Sequence, residues 1–129
     1  ITNPTMTAEI SAEDVDVSWE FRWRRWDTSK YTFEYPDDYE DIAAEADLIY
    51  HMKYSKDNGA TWYFCNTTTV TTPGERSLNS SHIITGLTKT WDVPTADFPE
   101  GIYLLRVEVF RNSIASHYAY DQQRIFVKR

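Results

Sequence analysis

The residues with chemistry to offer are unevenly spread. His51, His82 and His117 lie far apart, with neither an H-x-x-x-H spacing nor a Cys/His set of the kind that holds zinc. No G-x-S-x-G turn marks a serine nucleophile. Carboxylates are plentiful, but they crowd into residues 27–47 instead of recurring where two could face each other across a scissile bond. The pattern argues against an enzyme, and no catalytic residue is assigned. Within that acidic stretch Asp37, Asp38 and Asp41, with Asp47 beyond them, supply the hard oxygens that Ca2+ prefers. The D-x-D-x-D-G order of a calcium loop is missing, so a solvated acidic face is the commoner explanation. Calcium is the one cofactor with any case.

The remaining chemistry is aromatic. The run Arg22-Trp23-Arg24-Arg25-Trp26 mixes cations with rings, as platforms for oligosaccharides or single strands do. Trp23 continues the apolar face of a strand, whereas Trp26 breaks the alternation and is the best candidate for an exposed ring. Tyr31, Phe33, Tyr35 and Tyr39 follow closely. Trp26, Tyr31, Tyr35 and Tyr39 are therefore the expected ligand-binding residues, in a strip that either covers the core or presents a sugar- or protein-binding face.

Whatever does the binding must be positioned by one domain, because the chain has 129 residues. Hydrophobic residues make up 41% and aromatics 16%, too much large apolar surface for a disordered chain. The net charge of −7 disfavours a nucleic-acid partner or an anionic membrane surface. No run approaches about 20 apolar residues, so membrane insertion is not expected. The single cysteine, Cys65, forbids an intrachain disulfide and is expected to fill the core. Sequons stand at Asn66 and Asn79, while that at Asn3 is blocked by Pro4. A start at Ile1 without Met or a leader is expected of a piece of a longer or processed protein, with neighbouring domains as its first partners.

Alternation is the main signal for the elements. Val15, Val17, Trp19, Phe21 and Trp23 fall on one face of a strand over residues 15–24, and Leu48, Tyr50, Met52 and Tyr54 on one face of another. Between them residues 27–47 form an acidic, Tyr-rich insertion, predicted to be partly helical from Pro36, with Ile42 and Ala46 at i, i+4 spacing. Residues 67–81 read as a polar loop or weak edge strand, and 82–87 as a short strand. Pro99 and Gly101 turn the chain into a long strand over 102–111, with Tyr103, Leu105, Val107 and Val109 on one face. Residues 125–127 form the last strand. About seven strands and no βαβ rhythm predict an antiparallel β-sandwich.

Tyr54 and Trp62 bracket the stretch "YSKDNGATW", whose Ser55, Asp57, Gly59 and Trp62 fit the Ser-x-Asp-x-Gly-x-Thr-Trp pattern called an Asp-box. It resembles the repeat of sialidase propeller blades, but a propeller needs several boxes and this chain has one. The local physics suffices: Asp57 can bond the amides ahead of it, Gly59 can take positive φ, and Trp62 can pack over the turn of a hairpin. Trp91, followed by "DFPEGIYLLRVEV" at 97–109, resembles the late strands of fibronectin type III and immunoglobulin-like modules, and "VDVSWEF" at 15–21 an early strand with a core Trp. The resemblance implies that Tyr103 is a corner tyrosine bonded back to the preceding turn. It also implies a non-catalytic extracellular or cell-surface module: a spacer, an adhesion domain or a protein-contact domain. The alternative is a carbohydrate-binding accessory module of a secreted hydrolase.

Overall fold

The computed structural model describes residues 1–4, 9–21, 25–27, 32–34, 48–112 and 114–129, with 25–27, 32–34 and 114–117 described through their backbone. Ten strands run through them: β1 (Glu9–Ile10), β2 (Asp14–Ser18), β3 (Arg25–Asp27), β4 (Thr32–Glu34), β5 (Leu48–Ser55), β6 (Trp62–Phe64), β7 (Val70–Thr71), β8 (Thr88–Asp92), β9 (Gly101–Arg111) and β10 (Ile114–Val127). One sheet has the order β1-β10-β9-β5-β6-β7, a second joins β2 to β8, and β3 pairs with β4. Every pair is antiparallel except β1 with β10, which runs parallel with Glu9 beside Phe126.

The six-stranded sheet and the β2–β8 sheet share one core, as a β-sandwich does. Val17 and Trp19 from the β2 side, with Trp91 and Val93 from the β8 side, pack against Tyr50, Met52, Tyr54, Leu105 and Val107. Trp19 meets Tyr50 at 5.6 Å between ring centroids, Tyr54 meets Trp91 at 5.8 Å, and Phe98 lies edge-on to Trp91 at 5.7 Å. Each such pair contributes roughly 0.5–1.5 kcal/mol beyond its buried area.

Several expectations change. The strand over 15–24 leaves its ladder at Ser18, although Trp19 stays buried. Its backbone is diverted, because the Ser18 N–H donates to the Asn3 carbonyl and the Trp19 N–H to that of Leu87. The helical turn from Pro36 lies outside the described residues. The part of the insertion that is described, β4, is strand and pairs Phe33 with Trp26, as its β-branched and aromatic residues favour. No helix occurs among the described residues. The strand over 82–87 shrinks to one bridge, Ile84 with Tyr50.

The largest difference concerns β5. Sequence alternation assigns it one apolar face and one solvated face, yet all eight residues are buried. Its second face carries Ile49, His51, Lys53 and Ser55, and the chain over residues 72–84 lies on top of it. That cover contributes its own polar groups, so His51 and Lys53 find partners instead of water.

Candidate functional site

Two polar clusters flank β5, one sealed and one open. The sealed cluster centres on Glu108. Its Oε1 lies 2.5 Å from Lys53 Nζ and its Oε2 lies 2.7 Å from Arg106 Nε. Oε2 also accepts from the Gly74 N–H at 2.7 Å and from the Tyr118 hydroxyl at 3.0 Å. Lys53 donates to the carbonyls of Thr72 and Glu75, both at 2.8 Å, so a single lysine ties the cover to the sheet. Burial alone would raise the Glu108 carboxyl, but Lys53, the Gly74 amide and Arg106 outweigh it and hold the group below its ordinary value.

His51 fixes the cover further along. Its Nδ1 donates to the His82 carbonyl at 2.8 Å, while Nε2 accepts from the Ser77 N–H at 2.9 Å. Only the neutral ring with its proton on Nδ1 satisfies both bonds. Burial lowers its pKa, with the His82 carbonyl pulling the other way. Ser77 Oγ sits 2.7 Å from His82 Nδ1, but it also accepts from the Asn79 N–H at 3.2 Å, and the His82 ring is stacked on Phe64 at 3.9 Å. The group reads as a turn lock. His51 is spent on structure through both ring nitrogens, and His82 through Nδ1 and its stacked face.

The open cluster lines a cleft of about 550 Å3 between the end of β8, the 94–98 loop and the β5–β6 hairpin. The hairpin turn is built by the box residues. Ser55 Oγ donates to Asp57 Oδ1 and accepts from the Gly59 N–H, each at 2.8 Å. Asp57 Oδ1 accepts from the Thr61 N–H at 2.8 Å, and Trp62 Nε1 donates to the Gly59 carbonyl at 3.0 Å. Gly59 adopts φ +95°, a conformation glycine takes without penalty. The turn sets Lys56 above the Phe98 ring, 4.4 Å from its centroid, with Nζ donating to the Asp97 carbonyl.

Asn66 forms the cleft's rim. It follows β6 at φ 63°, a left-handed conformation that asparagine tolerates better than most residues. Its Nδ2 donates to the Thr90 carbonyl and its Oδ1 accepts from the Asp92 N–H, both at 2.8 Å. The amide thus bonds the free edge of β8 as a strand would and ties the two sheets together. Inside the cleft Tyr63 stacks on Tyr54 at 5.4 Å, tilted by 24°. Burial pushes the Tyr54 hydroxyl up to about 12, with Cys65, Tyr63 and Asp97 adding to it, so the phenol stays protonated. The carboxylates of Asp92 and Asp97 also line the cleft and receive no hydrogen bond from the described residues.

Of the residues singled out from sequence, Trp26 lies in β3, while Tyr31, Tyr35, Tyr39, Asp37, Asp38 and Asp41 lie outside the described residues. Among the described residues no group of three or more His, Cys, Asp or Glu is arranged to hold a metal. No described helix is long and apolar enough to cross a membrane. The Tyr103 hydroxyl donates to the Pro99 carbonyl. Sequence reasoning missed Lys56, Tyr63, Asp92 and Asp97 as a group. Tyr63 reads as the outward residue between two buried ones, and nothing local links residues 56–66 to 92–98. Comparison with protein-family models, curated proteins and solved structures finds no match to this chain.

Proposed function

We propose that this chain is a non-catalytic module of immunoglobulin-like topology, a spacer, adhesion or protein-contact domain in a larger extracellular or cell-surface protein. The observation that carries the reading is the strand order. A sheet β1-β10-β9-β5-β6-β7 facing β2-β8 is the order of a variable-type immunoglobulin sheet facing a two-stranded remnant of its partner. The parallel β1–β10 pair and the Tyr103 bond to the turn before β9 agree with that topology. The non-catalytic part is supported by the chemistry of the polar groups. Those of the sealed cluster are committed to one another, and both ring nitrogens of His51 are taken by the backbone of the cover. The extracellular location rests on the sequons and on the kind of module alone.

The test is a turnover screen on the purified chain with chromogenic esters, glycosides and peptides. No turnover above a protein-free blank is expected. Turnover that survives repurification and is lost on substituting one titratable residue would overturn the non-catalytic reading.

A further inference from the structure

We propose that the cleft between the β5–β6 hairpin and the end of β8 binds a short neutral saccharide, its C–H face on the Tyr63 ring and its hydroxyls donating to Asp92 and Asp97. The inference goes beyond the module reading, because a spacer of the same topology needs no such site. Its size comes first: about 550 Å3 lies within the range of small-ligand pockets and is too small for a folded partner.

Chemistry then narrows the ligand. Two carboxylates and a single cation, Lys56, line the opening, so an anionic ligand meets net repulsion. Lys56 is already engaged with the Asp97 carbonyl and the Phe98 ring. An apolar ligand would strip water from Asp92 and Asp97 and return no hydrogen bond, which is costly. A peptide strand needs a free backbone edge, but at this rim the Asp92 N–H and the Thr90 carbonyl are already taken by Asn66. A metal finds no set of three ligands among the described residues.

A neutral sugar meets each condition. Vicinal hydroxyls are donors for ionised carboxylates, and hydrogen bonds to a charged acceptor are the stronger kind. The C–H face of the ring suits an aromatic surface held flat, and the stack on Tyr54 holds Tyr63 so. The Tyr54 and Tyr63 ring planes and the Asn66 clamp exist before any ligand arrives, which reduces the ordering cost of binding.

The experiment is an amide-shift NMR titration of the 129-residue chain with tetrasaccharides of glucose, mannose, xylose, galactose and N-acetylglucosamine, without added metal. At least one should saturate, with its shifts centred on Lys56, Tyr63, Asp92 and Asp97. Asp97→Asn and Tyr63→Ala should each weaken it tenfold or more, whereas Tyr120→Ala on the opposite sheet face should leave it unchanged. Asp97 is exposed, so its variant keeps the test valid if Tyr63→Ala fails to fold. No saturable shift with any sugar overturns the proposal, as does binding that survives Asp97→Asn or maps elsewhere. Either failure leaves the topology reading standing, since that depends on strand order.

Discussion

Replacing Glu108 by glutamine tests whether the sealed cluster or the apolar core holds the cover over residues 72–84. Glu108 and Lys53 both have no exposed side-chain surface, and their ionic contact is 2.5 Å long. Glutamine preserves shape and can still accept the Gly74 N–H. It leaves the Lys53 ammonium and most of the Arg106 guanidinium charge buried without an anion. Breaking a buried pair from one side costs roughly 3–5 kcal/mol, because the surviving charge stays desolvated. With a urea dependence of about 2 kcal/mol/M for a domain of this size, the unfolding midpoint should fall by about 2 M. Removing both partners is a different perturbation: Lys53→Met with Glu108→Gln strands only the Arg106 guanidinium, which keeps its bonds to Gln122 and Tyr118, and should cost less than the single change. Urea titrations followed by tryptophan fluorescence measure all four corners of the cycle. A Glu108→Gln cost below about 1 kcal/mol, or a double variant no better than the single, would refute the account of the cluster as a mutually dependent set.

Other perturbations follow from the same contacts. The lowered pKa of Glu108 means that its stabilisation is present above the ordinary carboxyl value of 4.5 and is lost as pH falls through the lower folded value. His51 acts in a higher window: its folded pKa is below 6.5, so the unfolded chain takes up the proton first and stability declines as pH falls beneath about 6.5. His51→Gln should flatten that upper part of the stability-against-pH curve while leaving the Glu108 part in place. Gly59→Ala meets only ordinary contacts, the nearest being Leu104 Cδ1 at 3.7 Å, so its cost is that of φ +95° in a residue with a Cβ, roughly 1–2 kcal/mol by urea unfolding. In a glycosylating host Asn79 should carry the glycan in preference to Asn66. Asn79 is exposed, and among the described residues its side chain bonds only through Oδ1, to Ser81, whereas the Asn66 nitrogen is given to Thr90; intact-mass analysis of Asn66→Gln and Asn79→Gln variants checks this.

What the sequence disclosed was local or periodic. The β5–β6 hairpin was legible because Asp57, Asn58 and Gly59 turn the chain within a few residues. The inner faces of β5 and β9 were legible because Tyr50, Met52, Leu105 and Val107 recur at the strand period. The outer face of β5 was not. Lys53 and Glu108 look like solvated residues until the aperiodic segment 72–84, which lies between them in sequence, folds over them, and no pattern in that segment announces its destination. The cleft was hidden for the same reason, since Tyr63 and Asp97 meet only through the sandwich. The β1–β10 pairing joins two residues to a strand more than a hundred positions away, too short a match for any periodicity to reveal.

The strand order is the central claim, and interstrand proton contacts in the isolated chain test it most directly. The account predicts antiparallel Hα–Hα and amide contacts placing Val15 against Trp91, together with the parallel pattern placing Glu9 and Ile10 beside Phe126 and Val127. A first strand paired instead with β2, or a β8 joined to the large sheet, would contradict it.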